Sequence, residues 1–236
     1  MSRLGQARRD DIKAVTFDVG GTLLYLWPSV GHIYAEVLRN HGVNLPPDPL
    51  DRAFVQVWQN AHTLRREGKI GFDSERIWWR EIVRLSLAGQ PLPADFDRFY
   101  DELWNTFCAP ERWRLFAGAR ETLAELRRRG YRLAVLSNWD ERLRPLLAGL
   151  RLDSLFEDLI ISSEVGAEKP NPAIFRVAER RLGLAPGQIV HIGDSEPHDQ
   201  LGAEAAGWPY VMVDHHGRQP VAEPYVRGLP ALLERL

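Results

Sequence analysis

Helical and strand patterns alternate between Gly118 and Val213, and this alternation is the feature that most constrains the fold. Helices are predicted over residues 119–129, 143–150, 172–182 and 201–206, and strands over residues 131–136, 159–161, 189–192 and 210–213. Strands that alternate with helices pair in parallel through right-handed crossovers. The pattern therefore predicts a Rossmann-like, doubly wound α/β sheet.

A further strand is predicted near the start of the chain, in the segment AVTFDVGGTLL. The apolar pattern of residues 14–17 runs directly into Asp18, and Gly20, Gly21 and Thr22 then turn the backbone. A hydrophobic core does not require an acid at this position, and open α/β sheets bind ligands at the carboxyl ends of their strands. Asp18 is therefore a candidate functional residue.

An all-helical insertion separates this first strand from the alternating region. Helical periodicity begins at about Val30, and further helices are predicted near Leu50, from Asp73 or Ser74, and from Phe96. We expect a core domain formed by residues 12–27 and 113–236, and a helical cap domain formed by residues 28–112.

Charge, cysteine content and hydrophobic patterning limit the partners, the disulfides and the location to be expected of the chain. The 236 residues contain 30 Lys and Arg against 32 Asp and Glu, so no general attraction to nucleic acid or acidic membranes is expected. Cys108 is the single cysteine and cannot form an internal disulfide. The polar N-terminal segment does not resemble a signal peptide, and no run approaches the length of a membrane span. We expect a cytoplasmic protein with a small-molecule substrate and an oligomeric state that the sequence leaves open.

Polar side chains suited to phosphate chemistry follow the predicted strands or lie in adjoining loops. They are Asp18 with Thr22, Ser137 with Asn138, Lys169, and Asp194 with Asp199. Each of them alone fits a helix cap, a turn or a solvated side chain. Together, at one edge of a parallel sheet, they favour a common site.

The segments FDVGGTL, VLSN, EKPNPAIF and IGDSEPHD resemble, in order, the four motifs of the haloacid dehalogenase superfamily. The resemblance covers essentially the whole chain, and the helical insertion is similar to the class I cap of that family. SNWDERL and ERIWWREIV resemble a narrower branch of it. The resemblance implies a Mg²⁺-dependent hydrolase that acts on a small phosphorylated metabolite.

The resemblance also implies roles for the polar residues. Asp18 would be the nucleophile that forms an aspartyl-phosphate, and Lys169 would keep it ionised. Thr22, Ser137, Asn138 and Lys169, with nearby backbone N–H groups, would hold the phosphoryl oxygens.

The implied Mg²⁺ site draws on Asp18, the backbone carbonyl of Gly20, Asp194 and Asp199, with Asp199 either a ligand or a residue that orients one. Gly20 is also a departure, because phosphatases of the superfamily usually carry a general acid and base aspartate there. General acid–base catalysis is worth roughly 10²–10⁴-fold. We therefore expect slow hydrolysis of alkyl phosphates and faster hydrolysis of substrates with acidic leaving groups.

Three functions remain open at this stage. The first is the phosphatase-like hydrolase, with His32, His198 or His215 as a replacement acid. The second is a metal-independent 2-haloacid dehalogenase, a branch that also lacks the second acid but usually has Tyr at the position of Gly20. The third is a binding or regulatory protein that retains the pocket and turns over little substrate.

Overall fold

The computed structural model describes residues 11–66, 75–220 and 222–236, with side chains in the first range described to residue 61. The chain divides into two compact units. Leu26–Arg112 forms one, which we call the helical unit, and the rest of the described chain forms the other, the α/β unit.

The α/β unit is built on a parallel sheet. The strands of the described residues are β1 (Ala14–Phe17), β2 (Leu24–Leu26), β3 (Trp113–Leu115), β4 (Arg132–Ser137), β5 (Asp158–Ile161), β6 (Ile189–Gly193), β7 (Tyr210–Val213) and β8 (Tyr225–Val226). Six of these strands pair in parallel in the order β5-β4-β1-β6-β7-β8, while β2 and β3 pair with each other. The predicted Rossmann-like, doubly wound α/β fold is therefore confirmed.

Helices connect these strands and make up the helical unit. Those described are α1 (Val30–Asn40), α2 (Pro47–Arg66), α3 (Glu75–Ser86), α4 (Phe96–Cys108), α5 (Ala119–Arg128), α6 (Leu143–Gly149), α7 (Ser162–Val165), α8 (Pro172–Leu182), α9 (Leu201–Ala206) and α10 (Leu232–Arg235). The start predicted for the third helix, Asp73 or Ser74, lies outside the described residues. The first four helices all belong to the helical unit.

Successive residues of each central strand face opposite cores, as the pleat of a strand requires. In β1, Val15 and Phe17 pack into one core and Ala14 into the other. Thr16 lies on the same face of the sheet as Ala14, and it is aligned with His191 of the neighbouring β6. Both of these polar residues are fully buried. The sheet thus carries two polar side chains inside an otherwise apolar layer.

The elements that the sequence did not predict are all short. β8 has two residues, β2 and β3 have three each, and α7 has four. Periodicity needs a longer window to separate a strand or helix from a loop.

The helical unit has its own hydrophobic core, which α1 and α4 supply in large part. Tyr34, Leu38, Phe99 and Leu103 are buried in it. Ser29 caps the start of α1 by accepting a hydrogen bond from the backbone of His32. Among the described residues, no helix is both long and apolar enough to cross a membrane.

Candidate active site

Asp18 follows β1 directly, and β1 lies between β4 and β6, where the order of the strands reverses. Such a switch point is where open α/β sheets bind ligands, because the connections on its two sides diverge to opposite faces. The backbone N–H of Asp18 donates to the carbonyl of Ile192 at 2.8 Å, which holds the residue in the sheet. Its side chain is almost entirely buried.

One carboxylate oxygen of Asp18 is held by two donors. The hydroxyl of Ser137, at the end of β4, donates to Oδ1 at 2.8 Å. The ammonium of Lys169 donates to the same oxygen, also at 2.8 Å. Within the part of the chain that the structure describes, no hydrogen bond is made to Oδ2 of Asp18. That second oxygen remains available for chemistry.

Lys169 joins Asp18 to a second acid. Its Nζ also donates to Oδ1 of Asp199 at 2.5 Å, and the side chain is 1% exposed. Burial alone would lower the pKa of this lysine, but the charges of Asp18 and Asp199 outweigh it and raise the pKa above its ordinary value. Lys169 is therefore a fixed positive charge in the site.

Asn138 fixes the backbone of Lys169. Its Oδ1 accepts from the N–H of Lys169 at 2.7 Å, and its Nδ2 donates to the carbonyl of Lys169 at 2.8 Å. The side chain of Asn138 is thus engaged with the protein. The group that the family resemblance implies for holding a phosphoryl oxygen is the backbone N–H near Asn138, which these two hydrogen bonds do not use.

Asp199 is fully buried, in a π-helical turn (Glu196–Gln200) between β6 and α9. Oδ2 accepts from the backbone N–H groups of Asp194 and Ser195 at 3.1 and 2.9 Å, and Oδ1 accepts from Lys169 and His191. Burial by itself would raise the pKa of Asp199, but Lys169 and His191 hold it far below its usual range. Asp199 is an ionised carboxylate with both oxygens occupied.

Asp194 stands at the open side of the site, just after β6. Its Oδ1 accepts from the hydroxyl of Thr22 at 2.8 Å. Gly21 has a φ of +84°, and a Cβ there would lie 2.4 Å from Oδ2 of Asp194, so no larger residue fits. The residue as a whole reaches solvent. Burial of its carboxyl group is nevertheless the largest cause that raises its pKa to about 7, and the charges of Asp18 and Asp199 act in the same direction.

Asp18, Asp194 and Asp199 form one acidic cluster. Each offers a carboxylate oxygen, and these three oxygens lie within 4.8 Å of one another. Oxygen donors of this type are what Mg²⁺ prefers, usually from one or two carboxylates together with substrate oxygens and water. Three carboxylates lie around the single ammonium charge of Lys169, so the donor set fits a divalent cation.

His191 is a site residue that sequence reasoning missed. Its Nε2 lies 2.9 Å from Oδ1 of Asp199, and its Nδ1 lies 3.0 Å from the hydroxyl of Thr16. Burial is the main reason that its pKa is lowered, so we assign a neutral ring that donates from Nε2 and accepts at Nδ1. A histidine inside the apolar strand IVHIG, aligned with the threonine of AVTF, is the sequence signal that could have identified it.

The three histidines considered as replacement acids have different surroundings. His32 belongs to the helical unit, where its ring contacts Ser29. His198 lies in the π-helical turn, with Nδ1 at 2.9 Å from the hydroxyl of Ser195. Nε2 of His215 lies 2.8 Å from the carbonyl of Thr22. Of the two in the α/β unit, His215 touches the loop after β1 and His198 the turn that carries Asp199.

Gly20 lies beside an aromatic ring. An ideal Cβ built on it would be 3.2 Å from Cζ3 of Trp139. The indole of Trp139, which follows Ser137 and Asn138 in the chain, therefore lies against position 20.

Comparison with known proteins agrees with the predicted fold and family. The family model for haloacid dehalogenase-like hydrolases matches residues 12–207. The chain is 36% identical over 210 residues to haloacid dehalogenase-like hydrolase domain-containing protein 3 of Mus musculus, covering 88% of this chain and 84% of the mouse protein. The narrower resemblance of SNWDERL and ERIWWREIV to a branch of the family is to proteins of this name.

Solved structures of the same architecture include a phosphatase and a dehalogenase. The HAD phosphatase from Thermococcus onnurineus is 27% identical with a TM-score of 0.67, over 94% of this chain and 97% of that one. A structure described as a dehalogenase is 24% identical with a TM-score of 0.73, over 97% of this chain and 99% of that one. The second likeness shows the fold alone. From the match of the family model and of these relatives, the chain belongs to the haloacid dehalogenase-like hydrolase family and is a hydrolase.

Proposed function

We propose that this hydrolase is a Mg²⁺-dependent phosphatase, which transfers the phosphoryl group of a small phosphorylated metabolite to Asp18 and then to water. The observation that carries the proposal is the cluster of three carboxylates, Asp18, Asp194 and Asp199, around the buried Lys169. The similarity to the phosphatase of Thermococcus onnurineus supports this chemistry.

Asp18 and Asp194, with the backbone carbonyl of Gly20, would hold the Mg²⁺ ion. Asp199 already accepts four hydrogen bonds, so we assign it the task of orienting Lys169 and the backbone of Asp194. Bound there, Mg²⁺ would neutralise the charge that develops on the phosphoryl oxygens. The helical unit would serve as the cap domain.

In the first step, Oδ2 of Asp18 attacks phosphorus while the bond from phosphorus to the leaving oxygen breaks. Ser137 and Lys169 hold Oδ1, which leaves Oδ2 as the nucleophile. The ammonium of Lys169 also keeps the carboxylate ionised. Because Gly20 has no proton to give, the leaving oxygen departs with its electron pair and is protonated by solvent.

In the second step, water attacks the aspartyl-phosphate at phosphorus, and the bond from phosphorus to Oδ2 breaks. Inorganic phosphate leaves, a proton passes to solvent and the Asp18 carboxylate is restored. Lys169 and backbone N–H groups near Thr22 and Asn138 would hold the phosphoryl oxygens in both steps.

The direct test is the Mg²⁺ dependence of p-nitrophenyl phosphate hydrolysis, with Asp18→Asn beside the wild type. We expect hydrolysis that EDTA abolishes and that Asp18→Asn lowers by at least about 10³-fold, because the substitution removes the nucleophile. Asp153→Asn, an exposed carboxylate of the α/β unit, is the matched control and should leave the rate unchanged. Turnover that persists in EDTA or in Asp18→Asn contradicts the proposal.

One observation favours a dehalogenase as the second candidate. A halide leaves without needing a proton. The side chain beside Gly20 is the indole of Trp139, which cannot act as a general acid. Asp18 would then attack carbon, forming an ester and releasing halide, and water would hydrolyse the ester. Chloride release from 2-chloropropionate in EDTA, lost in Asp18→Asn, would support this function. The absence of both activities would favour the binding or regulatory protein.

A further inference from the structure

The backbone at Gly20 does not require glycine. Its φ lies outside the left-handed region, unlike that of Gly21 at +84°. What opposes a side chain is Trp139, because a Cβ at position 20 would lie 3.2 Å from Cζ3 and 3.9 Å from Cη2 of the indole. The first distance is shorter than an ordinary carbon–carbon contact of about 3.5–4.0 Å. Trp139 thus crowds the space beside Gly20, and a side chain there would require the indole to shift by a few tenths of an ångström.

The backbone of Trp139 is held in place by Ser162. The N–H of Trp139 donates to the hydroxyl of Ser162 at 3.0 Å, and that hydroxyl donates back to the carbonyl of Trp139 at 3.0 Å. The N–H of Ser163 donates to the same carbonyl at 3.2 Å. The end of β4 is therefore tied to α7 at the position from which the indole projects.

The ring itself is packed on one side. It contacts the hydrophobic core of the α/β unit and lies against Trp113, with ring centroids 5.2 Å apart and planes inclined by 52°. Two residues before it, Ser137 donates to the carboxylate of Asp18. The same strand end thus supplies a hydrogen bond to the nucleophile and an apolar wall beside residue 20.

We propose that Trp139 is a specificity-determining residue, whose indole fills the space of a proton-donating side chain at position 20 and so restricts the enzyme to phosphoesters with acidic leaving groups. This inference rests on the proposed phosphatase function and narrows its substrate class. An apolar wall cannot protonate a leaving oxygen, so only a leaving group that is stable as an anion departs quickly. Aryl, enol and acyl phosphates have such groups, and alkyl phosphates do not.

The contact is tested first by stability, without reference to activity. Gly20→Ala adds a single methyl group that meets the indole. We expect it to lower the urea midpoint of the wild type but not that of Trp139→Ala, where the space is open. Trp139→Leu serves as a second background if Trp139→Ala does not fold. Equal effects of Gly20→Ala in all backgrounds would overturn the packing part of the inference.

The specificity is then tested with the full chain, Mg²⁺ and two phosphoesters, p-nitrophenyl phosphate and glycerol 3-phosphate. In the wild type, kcat/KM should favour the aryl ester by about 10²–10⁴-fold, the range that general acid catalysis is worth. Gly20→Asp alone should not raise hydrolysis of the alkyl ester. Gly20→Asp with Trp139→Ala should raise it by roughly 10²-fold, the lower end of the same range.

The control is Gly187→Asp, since a Cβ at Gly187 meets nothing within 4 Å. It should leave both rates unchanged. A full gain from Gly20→Asp alone, or equal wild-type rates with the two esters, would overturn the specificity role while leaving the phosphatase function intact. If no variant shows turnover that depends on Asp18, the phosphatase function fails and the leaving-group selectivity fails with it.

Discussion

His191 connects a hydroxyl in one strand with a carboxylate in a neighbouring turn. Thr16 donates to its Nδ1, and its Nε2 donates to Asp199, which in turn accepts from Lys169. All four side chains are buried, so each hydrogen bond is made in surroundings from which water is excluded. Asp18, the proposed nucleophile, is therefore positioned by a chain of contacts that begins inside the sheet.

Replacing His191 by Phe tests this connection while keeping a ring of similar size. The free energy of unfolding should fall by about 1–3 kcal/mol, because the buried carboxylate of Asp199 loses a donor. Displacement of Lys169 should lower kcat by roughly 10-fold or more. Urea denaturation and steady-state kinetics measure the two effects.

Thr16→Val is the matched comparison, since it removes only the hydroxyl that faces Nδ1. It should lower the free energy of unfolding by about 1–3 kcal/mol, because the buried Nδ1 of His191 loses its donor, and it should leave kcat closer to the wild-type value than His191→Phe does. If His191→Phe is as stable and as active as the wild type, the chain of contacts does not position Asp199.

At the scale of elements, the loop after β1 is held by two other segments. Nε2 of His215, in the loop after β7, donates to the carbonyl of Thr22 at 2.8 Å, and its ring stacks on Phe116 with centroids 3.6 Å apart. The N–H of Phe116 donates to the carbonyl of Leu23 at 3.0 Å. Residues 20–24, which carry Gly20 and Thr22, thus depend on parts of the chain more than 90 residues away.

The surroundings of His215 predict a pH dependence of stability. Burial is the largest cause that lowers its pKa in the folded protein, whereas an unfolded histidine has a pKa of about 6.5. As pH falls below that value, the unfolded chain binds the proton first, so the free energy of unfolding decreases until the folded pKa is passed.

His215→Gln keeps a donor for Thr22 but removes this titration. Urea denaturation at pH 8 and pH 5 should therefore show a smaller decrease for the variant than for the wild type. The lowered pKa of His191 acts in the same direction and remains in both proteins. Equal decreases in the two proteins would contradict the prediction.

At the scale of the whole molecule, each unit has its own hydrophobic interior. The two cores of the sheet are formed by residues of the α/β unit, and the cores around Tyr34 and Trp78 by residues of the helical unit. The chain leaves and re-enters the α/β unit along the paired strands β2 and β3, and the N–H of Trp27 donates to the carbonyl of Arg112 at 2.7 Å. The ends of the insertion are therefore close together.

This predicts that the α/β unit folds without the insertion. Replacing residues 27–112 by a flexible linker of about four residues should give a protein that unfolds cooperatively, with a smaller urea m-value than the full chain. Circular dichroism and urea denaturation check the outcome. A broad, non-cooperative transition would show that the sheet depends on the helical unit for its stability.

Local pattern was sufficient for the regular part of the fold. The strand–helix alternation identified β4 to β7 and the major helices of the α/β unit, because each of them repeats its hydrophobic period over several residues. It was insufficient for the two-residue β8, whose existence depends on pairing with β7. Short edge strands carry too few residues for a period to be read.

The sequence by itself determined the parallel α/β class, the helical insertion and the residue types at the strand ends, since these depend on periodicity and order along the chain. Only the tertiary structure decided that Ser137 donates to Asp18 across 119 positions and that His191 contacts Asp199. It also decided that the indole of Trp139 lies beside Gly20. Those contacts follow from strand order, register and packing, which relate residues far apart in the sequence and leave no local pattern.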